Sequence, residues 1–486
     1  MIGGGITGAG IARDAAMRGL RVGLVERGDF ASGTSSRSSK LIHGGLRYLA
    51  QGDISLVIEA ARERRCLTEI APHLALSARM VVPVHGRTAA GLVKLRAGMW
   101  SFEKMAKIEA EDRHEIWKRD ELLSHIGGLE PDRLQGAAVY TEYITDDARL
   151  TLETLKSAKR HGALVANYAP AVNIEEISSA MSGNGGSSSS NGLRVRVRDE
   201  LSGKEASIEA SVVVNAAGPW VDEVRNLGGD CTARIQLTKG IHLVIPRERL
   251  PVDDIVVMYA EDRRMAFVVP HGDIVWIGTT DTFYPKPEER PAITREDVDY
   301  LLHATNTTWP EARICDDDIR GAWAGVRPLV AQAGKSPSEI SRRDEILIEP
   351  NGLLSIGGGK LTTYRQMGER VVDQVIERIG RSAEACRTAQ VPLVEDGNAA
   401  AMARSTVDVG DIDAAIEDEC ALTVTDVLER RVRANLFAKD NGLGDVESVA
   451  EIVGKRAGWN DERRESEVAS YRARIADDVA WREGSK

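Results

Sequence analysis

Gly3, Gly5 and Gly8, followed by Glu26, are the first residues whose types and spacing suggest a chemistry. The pattern is G-x-G-x-x-G. Glycine lets the backbone turn sharply and approach a pyrophosphate, whose charge meets the exposed N–H groups at the start of the helix behind it. An acidic residue about twenty positions further on accepts hydrogen bonds from an adenosine ribose and repels a 2′-phosphate, and Glu26 falls there. Alone, the string also describes an ordinary glycine-rich loop. The surrounding elements favour the nucleotide: residues 9–20 carry small and apolar residues at helical intervals, and RVGLVE at 21–26 reads as a strand. A second group follows, with hydroxyls at Ser32, Thr34, Ser35, Ser36, Ser38 and Ser39, then Lys40, His43 and Gly44-Gly45. As a solvated loop it needs no ligand. Placed just after the ribose-binding strand, its hydroxyls and N–H groups can line a pyrophosphate and a flavin ring.

The elements that must position these residues recur late in the chain. ASIEASVVVNAA at 206–217 reads as one strand that becomes buried and ends at Gly218-Pro219-Trp220. Residues 352–356 read as another, running into Gly357-Gly358-Gly359-Lys360, with a helix behind it that carries Val371, Val372, Val375, Ile376 and Ile379. Two late strands ending in small residues indicate a nucleotide domain rebuilt from separated pieces. The expected fold class is α/β: a discontinuous Rossmann-like domain over 1–80, 141–225 and 345–385, a mixed-sheet substrate domain over 81–140 and 226–344, and a charged helical C-terminal domain over 395–486. SGNGGSSSSNG at 182–192, between AVNIEEI and GLRVRVR, reads as a flexible hairpin tip. Only Met1 and Ile2 precede the first glycine, where a central strand needs about five residues. The expectation is a true start upstream, and a sheet left with unpaired backbone groups at its centre.

Composition narrows the partners. The 486 residues allow two or three domains, and a net charge of −11 argues against a general nucleic-acid binder. Cys66, Cys231, Cys315, Cys386 and Cys420 are odd in number and form no C-x-x-C pair, so neither a disulfide framework nor a metal site is expected. No apolar run approaches the roughly 20 residues of a membrane span, and no signal peptide is visible, which points to the cytoplasm. Residues 87–108 run against the acidic average, with Arg87, Lys94, Arg96, Lys104 and Lys107 against Glu103 alone. There Leu92, Leu95, Met99, Phe102 and Met105 form a helical stripe, which is either core packing or the apolar face of a helix lying in an anionic membrane surface.

SSRSSKLIHGGLRYL, NAAGPWVDEV, LTKGIHLVIP, VWIGTTDT, WAGVRPL, GGGKLTTYR and ECALTVTDVLERRVR occur in that order. From the first glycine to about residue 476 the chain resembles the FAD-dependent, aerobic, membrane-associated glycerol-3-phosphate dehydrogenases. The resemblance implies a D-amino-acid-oxidase-type flavin fold with FAD as cofactor. It also implies oxidation of sn-glycerol 3-phosphate to dihydroxyacetone phosphate by hydride transfer from C2 to flavin N5, with a membrane quinone as acceptor. Gly218, Gly358, Gly359, Lys360, Leu361 and Thr362 then join Gly3, Gly5, Gly8, Glu26, Thr34, Ser35, Ser39, Lys40 and Gly44 as cofactor contacts. A phosphate dianion beside a secondary alcohol calls for guanidinium or ammonium groups and a proton acceptor. Arg327, presented by a turn that Pro328 stiffens, can grip phosphate bidentately, while Arg47 and Tyr48 match positions near the same end and Lys360 can reach substrate or the flavin's pyrimidine edge. His43 and His242, the latter with Thr279 nearby, are the two candidates for general base. Three other readings stay open: a glycerol-3-phosphate oxidase using oxygen, an amine or amino-acid oxidase of the same fold, and a truncated, non-catalytic flavoprotein. A homodimer is compatible with all of them.

Overall fold

In the computed structural model the first helix, Ile6–Met17, starts at Gly5, and the glycines around it explain the turn. Gly3 has a left-handed backbone, φ +110°, and a Cβ there would stand 2.6 Å from the Ala216 carbonyl oxygen; a Cβ on Gly8 would stand 2.0 Å from the Gly3 oxygen. Only glycine lets strand, turn and helix stack this closely. The structure describes residues 1–44, 54–86, 90–106, 113–177, 192–229, 231–332, 334–337, 339–394 and 407–485.

Strands distant in sequence lie side by side around that turn. Gly23–Val25 pairs in parallel with Leu164–Ala166, Val214–Asn215 pairs in parallel with Leu354–Gly357, and Glu345–Ile348 adds antiparallel to the latter. Ile2 bridges Val25 on one side and Asn215 on the other. The Ile2 N–H donates to Val214 O (2.9 Å), the Gly3 N–H to Val25 O (2.9 Å), the Ala216 N–H to Ile2 O (2.8 Å) and the Val25 N–H to Met1 O (3.0 Å). Residues 1–3 thus join the two halves. Helices Ile6–Met17, Asp147–Arg160 and Tyr364–Ile379 pack together behind this sheet.

One strand expectation is corrected. Residues 206–217 are not one strand. Glu205–Ala210 is the exposed edge of a separate antiparallel sheet with Leu193–Arg198 and Ala171–Glu176, and only Val213–Ala216 is buried. EASIEA alternates, with only Ala206, Ile208 and Ala210 on its apolar face, whereas VVVN can be buried on both faces, so the chain changes sheet between them.

The second large sheet is mixed. In order it runs Thr282–Tyr284, Ile235–Pro246, Ile274–Gly278, Met265–His271, Ile255–Tyr259, Leu76–His85, Leu134–Ile144, Leu41–Ile42, with Gly321–Val330 also paired to Ile235–Pro246. Alternation along its strands decides the site. Ile241, Leu243 and Ile245 point into a core shared with Val298 and Leu301 of helix Arg295–Thr308, which turns Gly240 and His242 to the opposite face. On the neighbouring strand Ala322 and Ala324 join that core, so Trp323, Gly325 and Arg327 face the same way as His242.

Of the two readings of the stripe on helix Ala90–Ala106, its described side chains follow core packing. Met99 is buried, Leu95 packs on the mixed sheet's core, and Leu92 is half-buried; the side chains of Phe102 and Met105 lie outside what is described. The stripe covers apolar strand residues that would otherwise face water. The outer face instead exposes Val93 (64 %) and Trp100 (58 %) among Lys94, Arg96 and Lys104. The C-terminal region is helical, with Val424, Val427, Val446, Val449, Ala450 and Tyr471 forming a core of its own.

Candidate active site and cofactor cradle

A cavity of about 830 Å³ runs from the glycine turn to the mixed sheet, within the range typical of small-molecule and cofactor sites. Gly3, Gly5, Glu26, Thr34, Ser35, Ser39, His43, Gly218, His242, Thr279, Arg327, Gly358, Gly359, Lys360, Leu361 and Thr362 line it. Gly8, Lys40 and Gly44 do not, and Arg47 and Tyr48 fall outside the described residues.

At one end the parts of a dinucleotide cradle are in place. The Ile6 N–H, at the helix start, donates to Ser35 Oγ (2.9 Å), and a Cβ on Gly5 would stand 2.9 Å from that hydroxyl. Thr34 Oγ1 donates to Val326 O (2.6 Å), which ties this loop to the mixed sheet. The Glu26 carboxylate accepts from the N–H of Gly4 (2.6 Å) and of Gly28 (3.0 Å); burial pushes its pKa up, and those two bonds oppose the shift. The Arg27 guanidinium lies 3.9 Å over the Trp220 ring, and both line the cavity. Further along, Gly358 and Gly359 are left-handed (φ +74° and +90°), and a Cβ on either would meet Arg343 O at 2.5 Å or Met367 Cε at 2.3 Å. Backbone, not side chain, therefore forms that wall. A helix start, an anchored acid and a glycine wall on one cavity fit a pyrophosphate, a ribose and a flat ring system, the three parts of FAD.

At the other end stands His242. It is 2 % exposed, with its ring stacked on Trp323 at 4.6 Å, and Nε2 lies 2.9 Å from Ser39 Oγ. Its Nδ1 is buried with no hydrogen-bond partner among the described residues. Burial first, then the charges of Arg327 and Lys40, hold its pKa well below the ordinary 6.5 against the pull of Asp147. The imidazole is neutral and able to accept a proton. A Cβ on Gly278 would stand 2.1 Å from its Cδ2, so glycine makes the ring's room.

Arg327 is aimed by a ring of acceptors. It donates to Thr279 Oγ1 (2.8 Å), Thr280 O (3.3 Å) and Asp281 Oδ1 (3.3 Å). Asp281 also accepts from Arg342 (3.2 Å), which brings a second guanidinium to the cavity wall. Gly240 is needed here, because a Cβ would stand 2.3 Å from both Arg327 NH2 and Thr279 Oγ1. Lys360 ends the glycine wall, and Thr362 Oγ1 donates to the His43 carbonyl (3.3 Å). The Gly44 N–H is held by the Glu142 carboxylate (3.0 Å), itself paired with Arg64 (3.1 Å). Lys40 turns away from the cavity: its ammonium donates to Asp147 (2.8 Å) and Ser36 O (3.0 Å), and burial pushes its pKa down to about 8. Arg342 and Asp281 were not anticipated. Arg342 sits in SRRDE, a charge run with no glycine or proline to frame it, while Asp281 lies inside the quoted IGTTDT.

This cradle and its neutral histidine define a class, the FAD-dependent oxidoreductases, and the family model of that description matches residues 1–365. The model of the C-terminal domain of alpha-glycerophosphate oxidase matches residues 361–464. The aerobic glycerol-3-phosphate dehydrogenase of Staphylococcus haemolyticus is 42% identical over 402 residues, 81% of this chain and 70% of that protein. That of Staphylococcus aureus is 42% identical over 384 residues, 78% and 67% of the two chains. The solved structure of glycerol-3-phosphate dehydrogenase from Bacillus halodurans complexed with FAD is 30% identical with a TM-score of 0.78, covering 98% of this chain and 94% of that one. The FAD-bound L-alpha-glycerophosphate oxidase of Mycoplasma pneumoniae, 15% identical at a TM-score of 0.61 over 81% and 98% of the chains, shares the fold. The chain belongs to the aerobic glycerol-3-phosphate dehydrogenase family. Its cofactor is FAD.

Proposed function

We propose that this chain oxidises sn-glycerol 3-phosphate to dihydroxyacetone phosphate, with His242 as proton acceptor, Arg327 as the principal phosphate ligand and a membrane quinone as the final electron acceptor. The observation that carries the reading is the shared face of two paired strands, on which Gly240 opens a gap for the Arg327 guanidinium and His242 stands two residues along. The relatives' names supply the substrate, and the site answers its chemistry. Arg327, with Arg342 and Lys360 lining the same cavity, neutralises a phosphate dianion. That places the adjoining C2 hydroxyl toward His242, which takes its proton while Ser39 holds the ring. Bound FAD supplies the two-electron acceptor for the hydride that leaves C2. His43 lines the same cavity and is the next candidate acceptor.

The membrane contact is assigned to the outer face of helix Ala90–Ala106, where Val93 and Trp100 are exposed among Lys94, Arg96 and Lys104. An apolar strip edged with cations suits an anionic lipid surface. Among the described residues no helix is long and apolar enough to cross a membrane. Oxygen is the second reading for the acceptor, favoured by the C-terminal match to a domain described from an oxidase.

The test is anaerobic mixing of the holoenzyme with glycerol 3-phosphate. Bleaching of the flavin with one dihydroxyacetone phosphate formed per FAD supports the reaction, and an unbleached flavin refutes it. Reoxidation by a quinone analogue without peroxide then supports the dehydrogenase, whereas stoichiometric peroxide in air moves the assignment to the oxidase.

A further inference from the structure

The motif LERRVR at 428–433 belongs to the C-terminal helical region, and its arginines bond both within that region, to Asp426, Glu419 O and Glu429 O, and outside it. Arg430 and Arg431 converge on Asp29, at 2.5 Å and 2.6 Å, and Arg431 adds a second bond of 2.8 Å. Asp29 opens the loop that runs on to Lys40 and lines the cofactor cavity with Ser32, Thr34, Ser35, Ser38 and Ser39. Arg433 reaches the far end of the same loop, donating to Ser36 O and to Asp147 Oδ1, both at 3.3 Å. Lys40 donates to those two acceptors as well. The other Asp147 oxygen accepts from Ser38 N–H (2.8 Å) and Ser38 Oγ (2.7 Å).

Two features mark this cluster as built. Lys40, Asp147 and Arg433 are at most 2 % exposed, so the two buried cations depend on the Asp147 carboxylate between them. Lys40 and Arg433 also both adopt left-handed backbone, φ +57° and +63°, where glycine would sit without strain. The front of the same loop carries the chemistry: Ser39 Oγ meets His242 Nε2 at 2.9 Å, and the Trp323 and Trp276 indoles donate to the carbonyls of Ser38 and Ser39, both at 3.2 Å.

We infer that the C-terminal helical region is a strut of the active site, with Arg433 as the positioning residue that holds Ser36 to Ser39, and through them the cofactor cradle and His242, in working geometry. The part concerning His242 rests on its proposed role as proton acceptor; the part concerning the cradle does not.

The experiment uses the full-length holoenzyme and its apoprotein, with Arg433→Gly, Arg433→Gln and Arg433→Lys, and with Val449→Ala as a control that opens a cavity in the C-terminal core away from the loop. FAD affinity is read by titrating apoprotein, and chemistry by anaerobic flavin reduction at saturating FAD and substrate. Arg433→Gly relieves the backbone but leaves the buried Asp147 with one cation fewer, so the melting temperature of every variant is measured and both readouts are taken well below it. The expectation is about tenfold weaker FAD binding and about tenfold slower flavin reduction with little change in KM, partly recovered in Arg433→Lys. Val449→Ala should leave both within about twofold at temperatures below its own melting. Arg433→Gln, which keeps a donor but loses the charge, carries the test if the glycine variant does not fold. Unchanged affinity and rate, or an equal loss in Val449→Ala, overturns the inference. If His242→Asn keeps its rate, the proton-acceptor role fails, while the FAD affinity of the Arg433 variants still decides the strut.

Discussion

Removing the Arg327 guanidinium tests the phosphate site most directly. Arg327→Ala deletes two donors able to bind one phosphate, and a charged hydrogen bond contributes roughly 1.5–3 kcal/mol. The upper end of the pair does not apply, because Arg327 is 25% exposed and Arg342 and Lys360 still line the cavity. A loss of about 3 kcal/mol follows, or about two orders of magnitude in kcat/KM for glycerol 3-phosphate. The assay is anaerobic stopped-flow flavin reduction with glycerol 3-phosphate and, separately, with glycerol, which lacks the phosphate and should react at nearly the parental slow rate. A second consequence has a definite sign. After burial, the Arg327 charge is the next cause holding the His242 pKa down, so its removal raises that pKa and moves the acid limb of the rate profile to higher pH. Equal losses for the two substrates would refute the assignment of Arg327 to phosphate, and an unmoved acid limb would refute His242 as the group that limb reports.

His242→Asn should slow flavin reduction by about 10²-fold or more while retaining FAD, and should abolish the acid limb; in the parent, activity rises with pH through the depressed His242 pKa and is flat above it. His43→Asn, measured beside it, should keep most of its rate if the assignment is right. Gly240→Ala drives a methyl into Arg327 and Thr279, a clash of about 1–3 kcal/mol, so KM for glycerol 3-phosphate should rise about ten- to hundredfold with flavin content normal. The parent should co-sediment with anionic vesicles in low salt and less so in high salt. Val93→Glu with Trp100→Glu should end this without loss of dye-linked activity, and binding that survives the double change would clear this face of the role.

What the sequence determined on its own is local in origin. The turn at Gly3, Gly5 and Gly8 and the wall at Gly358 and Gly359 depend on backbone that lacks a Cβ, and such positions announce themselves by residue type. Glu26 is legible for the same reason, because its distance along the chain from the turn is set by one helix and one strand. LTKGIHLVIP reads as a strand carrying His242, whereas Arg327 in WAGVRPL reads as presented by a turn stiffened by Pro328; it lies instead on the paired strand Gly321–Val330, where both residues face one side. Only the tertiary structure decided which side, since that depends on helix Arg295–Thr308 covering Ile241 and Leu243. It also decided what long-range pairing controls. Lys40, read as a cofactor contact from its place in a hydroxyl-rich loop, is held by Asp147, 107 residues away, and by a carbonyl it shares with Arg433 from the far end of the chain. Arg342 joins Arg327 only because Asp281 accepts from both. The stripe on Ala90–Ala106 has one period whether it meets protein or lipid, so its direction was open until the strands beneath it were in place. Charge partners and buried faces are chosen by contacts between segments far apart in the chain, and no local pattern of residues encodes that choice.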